Sequence, residues 1–263
     1  MVEQTGLTRS QARSMIIAGR VRVDGEQRLK PGHPVRAGAE VAIERPAPYV
    51  SRGGEKLEGA LRAFALDVTG VEALDVGAST GGFTDALLAA GARSVVALDV
   101  GYGQLAWKIR SDPRVTAIER SNFRLVSDDA FPGGFDTIVI DTSFISLRTI
   151  VARALGFLRP AGTIVALVKP QFEAGRDRLG SGGVVRERAV HDAIVREVRD
   201  GLVAAGARVI DACVSPLRGP SGNIEFFYRI EHGPGESIGD ARLVALVAEA
   251  YGTPGPDPEQ AES

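Results

Sequence analysis

The chain has one cysteine, Cys213, and no charged-then-apolar leader ahead of a small-residue cleavage site at its N-terminus. A single thiol cannot form an intramolecular disulfide, and the two absences together lead us to expect a cytoplasmic protein. Its three histidines, His33, His191 and His232, are far apart. Neither they nor Cys213 show zinc-ligand spacing, so no metal is expected. No uncharged apolar run approaches the roughly 18 residues needed to span a bilayer. Even the stretch around Val165 is bracketed by Arg159 and Lys169, so no membrane partner is expected. Two phosphate-binding signatures are missing as well. There is no G-x-G-x-x-G, which counts against a dinucleotide-dependent dehydrogenase, and no G-x-x-x-x-G-K-[ST] to cradle a triphosphate.

What is present suits a soluble globular protein: 263 residues, 44% hydrophobic and 24% charged, enough for one full-sized core and a small accessory module. The net charge of −2 is unevenly spread. Between Arg9 and Arg36, seven basic residues (Arg9, Arg13, Arg20, Arg22, Arg28, Lys30, Arg36) face only Asp24 and Glu26. Any attraction for phosphates is therefore concentrated at the N-terminal end, either as a nucleic-acid contact or as a solvated basic face.

Residues 8–43 read as a short helix, TRSQARSMIIAG, with Ala12, Met15 and Ile16 at helical spacing before Gly19. A hairpin, RVRVDGEQRL, follows and turns at Asp24-Gly25, and VRAGAEVAI supplies another alternating strand. The expected divisions are a module over 1–43, a proline-containing connector over 44–50, a large domain over 51–252 and a polar, proline-rich, disordered tail over 253–263. In the large domain strands and helices alternate, which predicts a mostly parallel α/β sheet covered on both faces. Strands are expected at 73–76, 94–100, 115–119, 136–141, 163–168, 208–214 and 224–230. Helices are expected near 82–90, 104–112, 146–158, 188–205 and 240–251.

In such a sheet, ligands bind beyond the carboxyl ends of the strands, where a glycine turn lets backbone N–H groups approach closely. LDVGASTGGFTDALL places Gly77, Gly81 and Gly82 there. The second strand ends in Asp99, suited to the two hydroxyls of an adenosine ribose, and the third in Glu119, near the expected adenine edge. Turn and acidic strand end together suggest S-adenosylmethionine. The segment IDTSF, where a base-amino methyltransferase would carry an Asn-Pro-Pro-Tyr-like stretch, turns attention to oxygen. At strand ends stand Asp141, Lys169 and Glu225, with Lys56 at the start of the domain. A ribose 2′-hydroxyl needs a base to take its proton, and a lysine serves only when neutral. Lys56 is a candidate neighbouring cation for Lys169, and Asp141 a candidate orienting group.

SRGGEKLEGAL, LDVGASTGGFTDALL, DVGYGQLAWKIRSDPRV, ERSNFR, DTSFISL, LVKPQFE and SPLRGPSGNIEFF, in this order, resemble the TlyA family. That family pairs an S4 RNA-binding module with an FtsJ-like, Rossmann-like class I methyltransferase domain. The resemblance runs from about Gly6 to Ile230. It implies 2′-O-methylation of cytidine in ribosomal RNA with S-adenosylmethionine, and a catalytic tetrad at Lys56, Asp141, Lys169 and Glu225, with Lys169 as base. It also implies that Gly77, Ala78, Ser79, Thr80, Gly81, Gly82 and Phe83 line the methionine and sulfonium region. Asp99 would hold the cofactor ribose, and the SPLRGPSGN loop, with Ser221 and Asn223, would border the target pocket. Phe144 is expected either beside the flipped nucleotide or in the core, and Arg52 either at a phosphate or in a hinge salt bridge. Because an S4 fold normally opens with a longer helix, a shortened module is expected here. Its Arg9, Arg13, Arg20, Arg22 and Lys30 still attract RNA. Trp107 is expected in the core, and Tyr102 beside the cofactor.

Two rival readings remain at this stage. One is a ribosome-assembly factor without turnover, against which the intact lysines and acids speak. The other is a pore-former, since members of the family have carried the label hemolysin, but no convincing membrane segment supports it.

Overall fold

The computed structural model describes residues 8–17, 19–27, 30–36, 38–43, 47–233 and 235–252. The chain divides into two compact units, Met1–Pro48 and Tyr49–Ser263. Residues 44–46 of the expected connector and all of the expected tail lie outside the described residues.

In the first unit, α1 (Arg9–Ile17) starts on a reciprocal cap. The Gln11 amide N–H donates to Thr8 Oγ1 (3.3 Å), and the Thr8 N–H donates to the Gln11 side-chain oxygen (2.9 Å). Strands β1 (Val21–Val23) and β2 (Glu26–Gln27) form the hairpin, with β3 (Val41–Ile43) antiparallel on the other side of β1. Asp24 and Gly25 both have positive φ, 51° and 81°, as a two-residue hairpin turn requires. Val21, Val23 and Ala39 make a small core, with Met15, Ile16 and Val41 packed against it. Arg9, Arg13, Arg22 and Lys30 are exposed, and Arg20 is half-buried.

The second unit is built on a seven-stranded sheet. Its strands are β4 (Glu72–Val76), β5 (Ser94–Leu98), β6 (Val115–Ile118), β7 (Phe135–Ile140), β8 (Leu158–Val168), β9 (Ala207–Val214) and β10 (Phe226–His232), in the order β6-β5-β4-β7-β8-β10-β9. All pairs through β8 are parallel, and β10 is antiparallel to both neighbours. Side chains alternate faces along each strand, so the apolar runs fill two cores. Ile138, Ile140, Ile164, Ala166, Phe226 and Tyr228 pack into one. Val139, Val165, Leu167 and Phe227 pack into the other. The chain leaves β4 toward β5 and β6, then returns to pair β7 on the opposite side of β4. This reversal opens a crevice beyond the carboxyl ends of β4 and β7. Because β10 runs antiparallel, its beginning, not its end, lies at that same rim.

The helices are α2 (Arg52–Ala63), α3 (Gly82–Ala89), α4 (Trp107–Arg110), α5 (Leu147–Ala154), α6 (Pro170–Glu173), α7 (Arg188–Ala204) and α8 (Asp240–Gly252). Three expectations are corrected. Helix α2 was not anticipated, because Gly53, Gly54 and Gly59 lower helix propensity. Packing overrides it: a Cβ on Gly54 would lie 2.2 Å from the Tyr49 ring, and one on Gly59 2.6 Å from Pro216. The helix expected over 104–112 is a single turn, since Asp99 and Glu119 capture the N–H groups of Gly101 (2.7 Å) and Gly103 (2.8 Å) and hold the preceding segment as turns. Trp107 is not in the core. Ile109 is the buried residue of α4, and Trp107 on another side of that turn is 77% exposed.

Candidate active site

The turn after β4 carries out three close approaches. Gly77 has φ +88°, and a Cβ there would sit 2.6 Å from the Asp141 carbonyl oxygen, so only glycine lets the ends of β4 and β7 run this close together. A Cβ on Gly81 would press on Leu105 and Ile109, and one on Gly82 would lie 2.2 Å from Ser51 Oγ at the start of α2. The backbone between them is drawn to β5: the N–H groups of Gly77 and Ala78 donate to the Leu98 carbonyl (2.9 and 3.2 Å), and Ser79 N–H donates to Asp99 Oδ2 (2.8 Å). A cleft of about 450 Å³ opens over this turn, lined among others by Ser51, Gly77, Phe83, Lys56, Asp141 and Arg218. Ala78, Ser79, Thr80 and Gly82 also line it; Gly81 serves the packing of α4 instead.

Asp99 is half-buried, and each of its oxygens accepts one backbone N–H, which leaves lone pairs for a ligand hydroxyl. Glu119 is more committed. It accepts from Gly103 N–H and from the Arg110 guanidinium, and that pairing holds its carboxyl below the usual range. Neither acid lines the cleft itself.

Two ion pairs stand at the rim. Lys169, last residue before α6, places Nζ 2.5 Å from Asp141 Oδ1 and donates to Ser143 Oγ (3.1 Å). Lys56, on α2, donates to Glu225 Oε2 (2.6 Å), and both are buried. The second Glu225 oxygen accepts from Gln171 Nε2 (3.3 Å). A Cβ on Gly219 would come 2.7 Å from that oxygen, so glycine lets the 216–223 loop lie over the pair.

The residues expected at the RNA side divide. Arg52 is exposed, lines the cleft and donates to the Arg218 carbonyl (3.0 Å), with no carboxylate partner among the described residues. Phe144 is not a core residue: it is 89% exposed, with φ +63°, and its ring lies 4.7 Å from that of Phe172. Ser221 is exposed. Asn223 is held by its neighbours. It is buried, its Oδ1 accepts Val185 N–H (3.0 Å), and its Nδ2 donates to the Gly183 carbonyl (3.3 Å), so it braces two loops against each other.

Sequence reasoning missed Asp75 and Arg218. Asp75 lies inside β4, fully buried, accepting from Thr84 Oγ1 (2.7 Å). Desolvation, opposed by the Thr84 hydrogen bond and aided by the charges of Asp141 and Asp99, pushes its carboxyl up to about 7. A carboxylate in the middle of an apolar strand was the available signal. Arg218 sat in the SPLRGPSGN stretch but was not separated from it.

A parallel sheet in this strand order, with a glycine turn at the reversal and an acid closing the next strand, defines a methyltransferase of the doubly wound α/β kind. Residues 49–231 match the FtsJ-like methyltransferase family, and residues 6–41 match the S4 domain. The chain is similar to the 16S/23S rRNA (cytidine-2'-O)-methyltransferase TlyA of Mycobacterium tuberculosis, at 47% identity over 226 residues and 84% of each chain. It is also similar to the putative rRNA methyltransferase YqxC of Bacillus subtilis, at 42% identity over 94% of this chain and 90% of that one. Among solved structures, a putative hemolysin from Streptococcus thermophilus superposes with a TM-score of 0.76, at 42% identity, covering 93% of this chain and 90% of that one. The chain belongs to the TlyA family of FtsJ-like methyltransferases with an N-terminal S4 domain. No helix among the described residues is long and apolar enough to cross a membrane.

Proposed function

We propose that this enzyme methylates the 2′-hydroxyl of a cytidine in ribosomal RNA, using S-adenosylmethionine, with Lys169 as general base. The observation that carries the reading is the Lys169–Asp141 pair beside a cleft floored by the Gly77 turn. The cleft fits the cofactor. Its floor is backbone from which side chains are excluded, as the 2.6 Å approach at Gly77 requires, and Asp99 stands at the end of the adjoining strand with free lone pairs. Residues 77–83 would hold the methionine end and Asp99 the ribose, Glu119 acting through the loop it shares with Gly103. When bound, the cofactor supplies an electrophilic methyl group.

The protein's own groups do the rest. Lys169 Nζ takes the proton of a ribose hydroxyl brought beside it, while Asp141 and Ser143 aim the amine. Lys56, tied to Glu225 and through it to Gln171, fixes the wall between α2 and β10. Arg52 meets a phosphate, Phe144 and Ser221 face the target nucleotide, and the exposed Arg9, Arg13, Arg22 and Lys30, with Arg20, attract the RNA backbone. The names of the relatives support ribosomal RNA as substrate.

Incubating the protein with unmodified ribosomal RNA and methyl-labelled S-adenosylmethionine, then digesting to nucleosides, should yield label in 2′-O-methylcytidine by mass spectrometry. Label confined to base atoms, or none, overturns the reading. A second outcome follows from the turn. Gly77→Ala forces a side chain into the left-handed region against a carbonyl, a strain of about 1–3 kcal/mol. It should weaken S-adenosylmethionine binding, measured by calorimetry, by about tenfold or more.

A further inference from the structure

One helical turn grips the loop after β7 at both ends. At the start of α6, Lys169 reaches Asp141 and Ser143. At its end, the two oxygens of Glu173 accept from Leu147 N–H (2.6 Å) and Ser146 Oγ (3.0 Å). Ser146, the N-cap residue of α5, makes no cap with its own side chain, so Glu173 supplies from another element the acceptor that the first N–H groups of that helix lack. Between the two grips lies Phe144, a non-glycine residue at φ +63° whose exposed ring meets Phe172 of the same turn. A backbone in that region persists only where its surroundings over-determine it.

We propose that Glu173 is a positioning residue for the target nucleotide: a latch that presets Ser143 and Phe144 at the mouth of the cleft. The inference rests on the reading of that cleft as an RNA methylation site. Both latch bonds are charge-assisted, and one goes to backbone, so they hold the loop before RNA arrives. Without them the loop must be ordered at the moment of binding, and the loss falls on RNA recognition rather than on the cofactor.

The test uses full-length protein, unmodified ribosomal RNA and S-adenosylmethionine. Glu173→Ala should raise the KM for RNA by about tenfold while the dissociation constant for S-adenosylmethionine stays within about twofold. Glu173→Gln, which keeps one acceptor, should fall between that variant and the wild type. In a Phe144→Ala background, adding Glu173→Ala should change the KM much less than it does alone, because the two act through one contact. Ser146→Ala keeps the Leu147 bond but removes the bond from Ser146 Oγ to Glu173 together with the one that Oγ accepts from Arg148 Nε (3.2 Å), and it covers the case in which Glu173→Ala fails to fold; a KM raised about threefold in Ser146→Ala, with the KM of Arg148→Ala unchanged, supports the latch. An unchanged KM for RNA in Glu173→Ala, or in Ser146→Ala if only that folds, overturns it. So does a full additive effect in the Phe144→Ala background. An unchanged KM in Phe144→Ala alone counts instead against the nucleotide contact, and failure of the wild type to methylate RNA counts against the reading beneath both.

Discussion

Replacing Lys169 by alanine should slow methyl transfer by about a thousandfold or more, while S-adenosylmethionine still binds. The magnitude follows from the role: a positioned base contributes about 10²–10⁴-fold, and a ribose hydroxyl keeps its proton without one. The amine is suited to the task by its place at the end of β8, against Asp141 at 2.5 Å and Ser143 at 3.1 Å. A purely structural ion pair would occupy the same position, so alanine alone does not separate the roles. Lys169→Arg does. The guanidinium keeps the charge opposite Asp141 but cannot give up its proton at accessible pH. It should therefore be nearly as slow as the alanine variant while melting close to the wild type. Single-turnover rates with saturating RNA and calorimetric cofactor binding make the measurement. A fast arginine variant would assign Lys169 to structure and leave the reaction without its base.

The central strands were legible in sequence because each is buried on both faces, so their apolar runs stand out without any need for alternation. The glycine turn was legible too, since Gly77 meets a constraint that only glycine meets. Lys56 stands out in sequence, yet the helix that carries it does not: the glycines of SRGGEKLEG read as a loop, and only the tertiary contacts with Tyr49, Ser51 and Pro216 make them helical. Trp107 was misplaced for a related reason. A large indole in an amphipathic-looking segment predicts burial, but the segment forms one turn, and one turn buries one side. Glu173 and Asn223 carry no local signal at all. Their partners lie 26 to 40 residues away, and their function is to join loops.

Asp75 yields the other large effect, and it depends on pH. In the unfolded chain its carboxyl titrates near 3.9; in the folded protein it is held up to about 7, first by burial and further by the charges of Asp141 and Asp99, against the Thr84 hydrogen bond. Below pH 4 both states carry the proton, and the group imposes no pH-dependent cost. Between about pH 4 and 7 the unfolded chain releases it while the folded protein retains it, so stability falls as pH rises, by up to about 4 kcal/mol in all. Above 7 the loss is complete and flat. Asp75→Asn keeps the shape and an acceptor for Thr84 but cannot ionise. At pH 5 it should be no more stable than the wild type, because its amide brings two buried N–H donors where a protonated carboxyl brings one O–H, a deficit of about 1–3 kcal/mol. From there to about pH 7 the wild type should lose ground against it, by about 2.6 kcal/mol, and the two melting curves should cross or converge, with a relative shift of about 5–10 °C in a protein of this size. Thermal midpoints every half unit of pH would show it. Parallel curves for the two proteins would mean that Asp75 is ionised in the fold at neutral pH, and a third negative charge would then stand beside Asp141 and Asp99 at the floor of the cleft.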